Sequence, residues 1–393
     1  MANNQYDVVI AGGAAAGSAA AYFLTANPGF AGSVLVVEKD LSYQRCATAL
    51  SAASIRHQFS TPENIRMSQF GTEFLRGFGP TLAVGGEQPD ASFHEGGYLF
   101  LATGAGLAIL NENHATQKSL GADVVVLTPE QLTARFAWLS TDDLAAGSLG
   151  LSGEGWLDAY GMMQGFRKKA IAQGALYLEG EVMQVRRHGR RIAGVTLKDG
   201  TAIECGTFIN TAGTGAPALA RMAGIELPVQ ARKRCVFYFE CPDPVPGCPM
   251  VIDPSGAYFR PEGQGFICGI SPPEQDDPEC LDFEVQHALF DDVLWPLLAA
   301  RVPVFEAIRC THSWAGHYDM NILDHNVIIG AHPDIDNMLF ANGFSGHGMQ
   351  QSPAVGRALS ELVVFGRYLS LDLSRMGWKR ILDNDLIIEK NVV

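Results

Sequence analysis

The hydrophobic and polar positions of the first forty residues switch between two periods. Tyr6-Asp7-Val8-Val9-Ile10 is a short apolar run of strand type, the small-residue stretch AGGAAAGSAA follows, and Ala21, Tyr22 and Leu24 continue as a helix. A second apolar run, Val34 to Val37, ends on the acid Glu38. The pattern predicts a strand, a glycine-rich turn, a helix and a parallel strand, which is the βαβ unit that binds dinucleotides. Free N–H groups and the positive end of the macrodipole at the helix N-terminus favour a pyrophosphate. Gly12 makes the tight turn and Gly17 lets the helix pack close to the strand. Glu38 lies 38 − 17 = 21 residues past Gly17, placed to accept from ribose hydroxyls, and an acid there disfavours a 2′-phosphate. Ala14 stands where the middle glycine of G-x-G-x-x-G is expected, an overpacking worth about 1–3 kcal/mol. An ordinary α/β turn would also use these glycines, but the flanking strands and the terminal acid favour dinucleotide binding.

The rest of the chain alternates in the same way. Ser60-Thr61-Pro62-Glu63 reads as an N-cap and helix start. Gly97 to Thr103 reads as a strand, Leu107 to Leu120 as a helix, Val124 to Leu127 as a strand, and Thr128-Pro129-Glu130 as a cap. The glycine-rich patch Gly147 to Trp156 reads as a crossing between lobes. Asp158 opens a helix that ends near Gly174, and Tyr177 to Asn210 reads as a β-meander with a hairpin turn at Asp199-Gly200. Arg232 to Ile270 is strongly β, with turns at Pro254-Ser255-Gly256 and Gly263. Helical segments follow over Glu284–Ala300 and Val304–Ala307. A final strand, a second glycine turn and a long helix lie in FANGFSGHGMQQSPAVGRALSEL, and WKRILDNDLIIEKNVV reads as a packed cap.

Length, composition and charge narrow the class. At 393 residues the chain predicts two intertwined lobes, and 47% hydrophobic residues with 43 Gly and 20 Pro fit a loop-rich α/β enzyme. A net charge of −14 makes nucleic acid a poor partner. No apolar run approaches the roughly 20 residues of a membrane span. MANNQYDVVI lacks the features of a secretory leader, so a cytoplasmic location is expected. The eight cysteines form no C-x-x-C pairs, which predicts reduced structural thiols and no metal site.

Gly343, Gly346 and Gly348 precede the long helix, so free N–H groups converge there as at the first turn. Such a site suits the N1–C2=O edge of a reduced flavin, which argues against an NAD-linked dehydrogenase with only one dinucleotide turn. The βαβ unit with Glu38, ATALSAASIRHQFS, FINTAG, WAGHYDMN and above all GFSGHGMQQSPAVGRALSEL resemble FAD-dependent oxidoreductases of the D-amino-acid-oxidase superfamily, which includes glycine oxidase, sarcosine oxidase and dimethylglycine dehydrogenase. The resemblance spans nearly the whole chain. It implies an α/β fold: a Rossmann-like FAD-binding domain (1–78, 150–215 and 325–393) with an antiparallel-sheet substrate domain (79–149 and 216–324).

The resemblance also implies a cofactor set. Gly12, Gly13, Ala14, Gly17, Glu38 and Lys39 hold the ADP half, Arg45, Thr48 and Ser51 wrap the cofactor, and Val182, Ala212 and Gly213 line the adenine and pyrophosphate side. Gly343, Gly346, His347, Gly348, Met349 and Gln350 face the flavin pyrimidine edge. Arg56 matches an arginine that binds the substrate carboxylate in sarcosine-oxidase-like relatives, and His347 an active-site histidine; Tyr258 and Arg260 would form the other wall. Ala53-Ser54 stand where relatives often carry Gly-Gly. WAGHYDM lacks the flavin-anchoring cysteine, so FAD is expected to be non-covalent. Gln350 replaces a lysine of the oxidases, which favours a dehydrogenase with another electron acceptor. The expected reaction moves a hydride from a small amine or amino acid to flavin N5, and the imine then hydrolyses. The alternatives are a flavin-weak or flavin-free relative with an assembly or binding role, motivated by Ala14 and Ala53, and a subunit of a larger dehydrogenase.

Overall fold

The computed structural model describes residues 4–391. The apolar runs at the start become the middle of a sheet because both of their faces are covered. Val8, Ile10, Val34 and Val36 pack on one side against Ala15–Ala26 and Gly348–Phe365, while Val9, Ala11, Leu35 and Val37 pack on the other against Ala216, Leu219 and Ala220. Residues buried on both faces read as continuous hydrophobic runs.

The sheet is eight-stranded. Its main order is Ile328–Ala331, Met338–Asn342, Ala202–Asn210, Gln5–Ala11, Val34–Glu38 and Leu176–Glu179, with Arg191–Leu197 and Val182–His188 branching from Ala202–Asn210. The four inner strands and Leu176–Glu179 run parallel. The βαβ unit and the Asp199-Gly200 hairpin are as expected, with Gly200 at φ +88°. The meander is not. Leu176–Glu179 pairs with Val34–Glu38, far away in sequence, so antiparallel pairing begins only at Val182.

The second sheet is also eight-stranded, in the order Arg309–Asn321, Val229–Glu240, Gly265–Ile270, Ala257–Glu262, Met250–Ile252, Tyr98–Ala102, Ala146–Gly150 and Val124–Leu127. It is antiparallel except between Met250–Ile252 and Tyr98–Ala102. Phe237, Phe239, Phe259 and Phe305 form its aromatic core. The patch expected to cross between lobes is partly a strand of this sheet: Ala146–Gly150 pairs on both edges, and only Gly155–Trp156 leaves it to pair with Ser54–Ile55.

The helix expected from Glu284 starts later, with a π turn at Phe290–Leu294 and an α-helix at Trp295–Arg301. The preceding loop is held by side chains of Val229–Glu240: Asp277 takes both arms of Arg234 at 2.9 and 2.8 Å, and Asp282 takes Lys233 at 2.7 Å. Thr128 makes the capping box and Asp158 accepts from Gly161 N–H, as expected. Thr61 caps Pro62–Arg76 by position, without a side-chain bond.

Two helices that enter the site are locked together. A Cβ on Gly356 would lie 2.6 Å from the Ala19 carbonyl carbon and 2.7 Å from its Cβ, so Ala15–Ala26 and Gly348–Phe365 meet backbone to backbone. The eight cysteines are free thiols, and no described helix is long and apolar enough to cross a membrane.

Candidate cofactor and substrate site

Four neighbouring parallel strands end on one edge of the first sheet, at Glu38, Ala11, Asn210 and Asn342. Ligands of open α/β sheets bind outside the carboxyl ends of the strands. Three strand steps of about 4.8 Å separate the first end from the last, a span of roughly 14 Å along which an extended ligand can lie. Small residues border it. Gly12, Ala14, Ala16, Ala212, Gly213 and Gly348 are half-buried and Gly346 is exposed, in a region otherwise buried.

At one end, Gly12 sits at φ +96° and its backbone leaves no room for a Cβ, which would fall 2.4 Å from the Thr211 carbonyl oxygen. A Cβ on Gly17 would fall 1.9 Å from the Gly12 oxygen. These two glycines set the turn, and the Thr211 hydroxyl locks it by donating to Ala11 O and Gly12 O at 3.0 and 2.8 Å. The Glu38 carboxylate accepts from Gly13 N–H at 2.8 Å and from Asp40 N–H at 3.1 Å. Ala14 has φ −71°, open to any residue, so its only departure from glycine is a Cβ beside the first turn of the helix. Thr48 Oγ1 accepts from Ala15 N–H at 3.4 Å and Ser51 Oγ from Ala53 N–H at 2.9 Å. Lys39 and Arg45 are exposed, the latter with its guanidinium 5.3 Å from the Phe283 ring centre. Val182 is half-buried at the start of its strand, and Gly213 is at φ +54°.

At the other end, Gly343 and Gly346 have φ +78° and +90°, and a Cβ on Gly346 would meet the Tyr318 ring at 2.6 Å. Asp319 braces this turn: its carboxylate accepts from Gly343 N–H at 2.8 Å and its carbonyl from Ser345 N–H at 3.0 Å. Burial pushes the Asp319 carboxyl up to about 6. His347 is the N-cap residue of Gly348–Phe365 and gives no side-chain cap, which leaves the first-turn amides of that helix without side-chain partners from the cap.

The structure brings Arg56 and His347 together. Arg56 Nη2 lies 3.1 Å from His347 Nε2. Arginine has only donors, so Nε2 accepts and the imidazole proton sits on Nδ1. Burial, with the Arg56 charge, pushes the His347 pKa well down, so the ring is neutral at pH 7. Arg56 is 2% exposed, lies 4.1 Å from the Phe59 ring centre, and donates from Nη1 to Gln58 O and from Nη2 to Asn391 O. Gln350 Oε1 accepts from Arg56 N–H at 3.0 Å and from the Ser68 hydroxyl at 3.1 Å, so it braces the arginine's backbone without adding charge. Met349 is buried beside it.

Tyr258 is buried with Tyr98, Met250 and Ile252, on a wall that also touches Ala52. Arg260, expected on the same wall, commits its guanidinium to the loop: Nε and Nη2 donate to Ala52 O at 2.9 and 2.7 Å, and Nη1 pairs with Glu262. The next residue, Ala53, adopts φ +54°, a glycine conformation at a position where the resemblance expects glycine. Leu157 N–H, 3.0 Å from Ala53 O, holds it on the other side.

Two acidic residues near Arg56 escaped the sequence reading. Glu154 is 1% exposed and accepts from His57 N–H at 2.5 Å and the Gln58 side chain at 2.8 Å, and burial pushes its carboxyl up to about 7. Its one signal was an acid inside the glycine-rich patch. The other is Glu389, in the tail.

Residues 7–362 match the family described as DAO, FAD dependent oxidoreductase, and the chain belongs to it. The FAD-dependent oxidoreductase domain-containing protein 1 of Xenopus laevis is 42% identical over 422 residues, covering 98% of this chain and 85% of the relative. The mitochondrial sarcosine dehydrogenase of Mus musculus is 26% identical, over 92% of this chain and 40% of that protein. Among solved structures, L-proline dehydrogenase from P. horikoshii superposes with a TM-score of 0.86 at 24% identity, covering 98% of this chain and 100% of that one. Glycine oxidase from Geobacillus kaustophilus gives 0.80 at 21%, covering 95% and 98%. The fold is the one these proteins share, and the chain is an FAD-dependent oxidoreductase.

The strand-end edge fits FAD. It offers an acid at one end, two helix N-termini, and small half-buried residues between them. Asn342, on the same edge, keeps both side-chain amide atoms buried with no partner among the described residues.

Proposed function

We propose that the protein oxidises the C–N bond of a small amine or amino acid bearing a carboxylate, holds FAD without a covalent bond, and passes the electrons to an acceptor other than oxygen. FAD bound along the strand ends supplies the two-electron acceptance, and the imine product hydrolyses in water. The observation that carries the reading is the buried Arg56–His347 pair at the N-terminus of Gly348–Phe365, walled by Phe59, Tyr98 and Phe100. In that role Arg56 binds the carboxylate, where a planar guanidinium gives two parallel bonds. Neutral His347 orients Arg56 through Nε2, and burial of the pocket disfavours the charged ammonium form, so an amine held there is more easily kept deprotonated. The aromatic wall excludes water, which strengthens each of these interactions. Uncharged Gln350, placed where the oxidases carry lysine, supports the choice of a dehydrogenase.

The reading is tested by purifying the protein, recording its visible spectrum and titrating FAD. A bound flavin followed by turnover of carboxylate-bearing amines with a dye acceptor, without peroxide, supports it. No flavin after saturating FAD would favour the assembly or binding role. Peroxide formed at the rate of turnover would make the protein an oxidase.

A further inference from the structure

Beyond the helix Trp378–Leu382 the chain runs as an extended strap back to the Arg56 site. Its path is fastened in stages. Ile387 N–H lies 3.3 Å from Asp324 Oδ2, Asn326 Nδ2 donates to Ile387 O, and Glu389 N–H donates to Asp324 O at 3.2 Å. Glu389, 1% exposed, then latches onto the start of the helix Pro62–Arg76. Its carboxylate accepts from Ser60 N–H at 2.8 Å, the Ser60 hydroxyl at 2.7 Å, Thr61 N–H at 3.0 Å and Asn64 Nδ2 at 3.0 Å. Burial alone would push this carboxyl up, but the Ser60 donors and the Arg56 charge outweigh it and hold the group below the ordinary range. Lys390 N–H adds a bond to Ser60 Oγ at 2.9 Å.

The strap ends its described course on Arg56 itself. The Asn391 main-chain carbonyl accepts from Arg56 Nη2, while its side chain donates to Gln58 O at 3.2 Å and accepts from Asn113 Nδ2 at 3.0 Å. Of the guanidinium edge that a carboxylate would take, Nη2 is therefore already engaged by one neutral oxygen of the strap and by His347.

We propose that Ile387–Asn391 is a carboxylate-responsive gate, with Glu389 as its latch and the Asn391 carbonyl standing where a substrate carboxylate oxygen binds. The proposal rests on the reading of Arg56 as the carboxylate clamp. A carboxylate forms charge-assisted bonds about twice as strong as those of a neutral carbonyl, so it displaces Asn391, whereas an uncharged ligand does not. The latch sets the fraction of open protein, and the apparent dissociation constant of a carboxylate is the intrinsic one divided by that fraction. The gate thus admits carboxylate-bearing substrates and keeps the Arg56 pocket closed to water at other times.

The test is a titration of the FAD-loaded protein with acetate, with acetamide as the uncharged control, read by perturbation of the visible flavin spectrum. Wild type, Glu389→Ala and Arg56→Ala are compared. The gate predicts that Glu389→Ala binds acetate at least about tenfold more tightly than wild type and that Arg56→Ala does not bind it. Equal affinity in wild type and Glu389→Ala, with Arg56→Ala inactive, overturns the gate and leaves the clamp standing. Acetate binding that survives in Arg56→Ala overturns the clamp, and the gate with it. Because Glu389→Ala also removes acceptors from the start of Pro62–Arg76, hydrogen exchange on the wild-type protein gives a second measure. Saturating acetate should speed exchange of the Lys390 and Asn391 amides, and unchanged exchange overturns the gate.

Discussion

Arg56 Nη2 and His347 Nε2 lie 3.1 Å apart in a buried site, which fixes the tautomer and charge of the histidine. The arginine can only donate, so the imidazole accepts on Nε2 and carries its proton on Nδ1. Burial, with the neighbouring guanidinium charge, holds its pKa well below the ordinary 6.5. Nitrogen NMR of His347 should show a neutral ring with a bare Nε2 and no titration between about pH 8 and pH 5. A ring that titrates near its ordinary value would break the pair and remove the basis of the proposed pocket.

The two helices whose N-termini reach the site depend on the contact between Ala19 and Gly356. Gly356→Ala places a methyl group 2.6 Å from backbone carbon, which something must yield to accommodate. We expect a loss of about 1–3 kcal/mol in stability, together with weaker FAD binding because the glycine turns at both helix starts shift. Thermal denaturation and an FAD titration check this, and unchanged values in both would mean the helices separate freely.

Arg260 holds the Ala52 carbonyl beside the positive-φ residue Ala53. Arg260→Ala leaves that carbonyl without its two guanidinium bonds, a cost of about 1–3 kcal/mol, and frees Ala53 to relax out of its glycine conformation. If Arg260 positions the loop, the variant weakens FAD binding while KM for a carboxylate substrate stays near wild type. A rise in KM with FAD binding intact would place Arg260 against the substrate.

Glu154 gives a pH signature. Folded, its carboxyl keeps a proton up to about 7, against an ordinary value of 4.5. Between those values the native state binds more protons than the unfolded chain, so this group's contribution to stability is full below 4.5 and is lost as pH rises through about 7. Glu154→Gln cannot ionise and escapes that loss. The melting temperature of Glu154→Gln relative to wild type should therefore climb as pH rises from about 5 to 8. A constant difference would mean that the carboxylate is ionised throughout.

Local pattern carried the first βαβ unit, because Val8 to Ile10 and Val34 to Val37 are buried on both faces and show it as unbroken apolar runs. It also carried both glycine turns, since Gly12, Gly343 and Gly346 occupy backbone conformations that L side chains rarely take. It failed where pairing is remote. Leu176–Glu179 is mostly exposed and looks like one arm of a hairpin, yet its partner is Val34–Glu38. Ala146–Gly150 carries two glycines and no β-branched residue, so it resembles a linker, and it is a strand only because Tyr98–Ala102 and Val124–Leu127 flank it. The start of the helix after Glu284 was misplaced because Lys233 and Arg234 hold Asp277 and Asp282 in an extended loop. The resemblance singles out Arg56 and His347, and the structure brings the two side chains to within 3.1 Å of each other. Glu154 and the Glu389 strap were not legible in the sequence, since each works through contacts with residues nearly a hundred or several hundred positions away.

The most direct test of the proposed chemistry is anaerobic mixing of the FAD-loaded protein with a panel of small amines and amino acids, followed at the visible flavin band. The account predicts that carboxylate-bearing amines bleach the band in wild type and fail to do so in Arg56→Ala that still holds FAD. A flavin that is bound in full and bleached by no amine, or bleached equally well in Arg56→Ala, would contradict it.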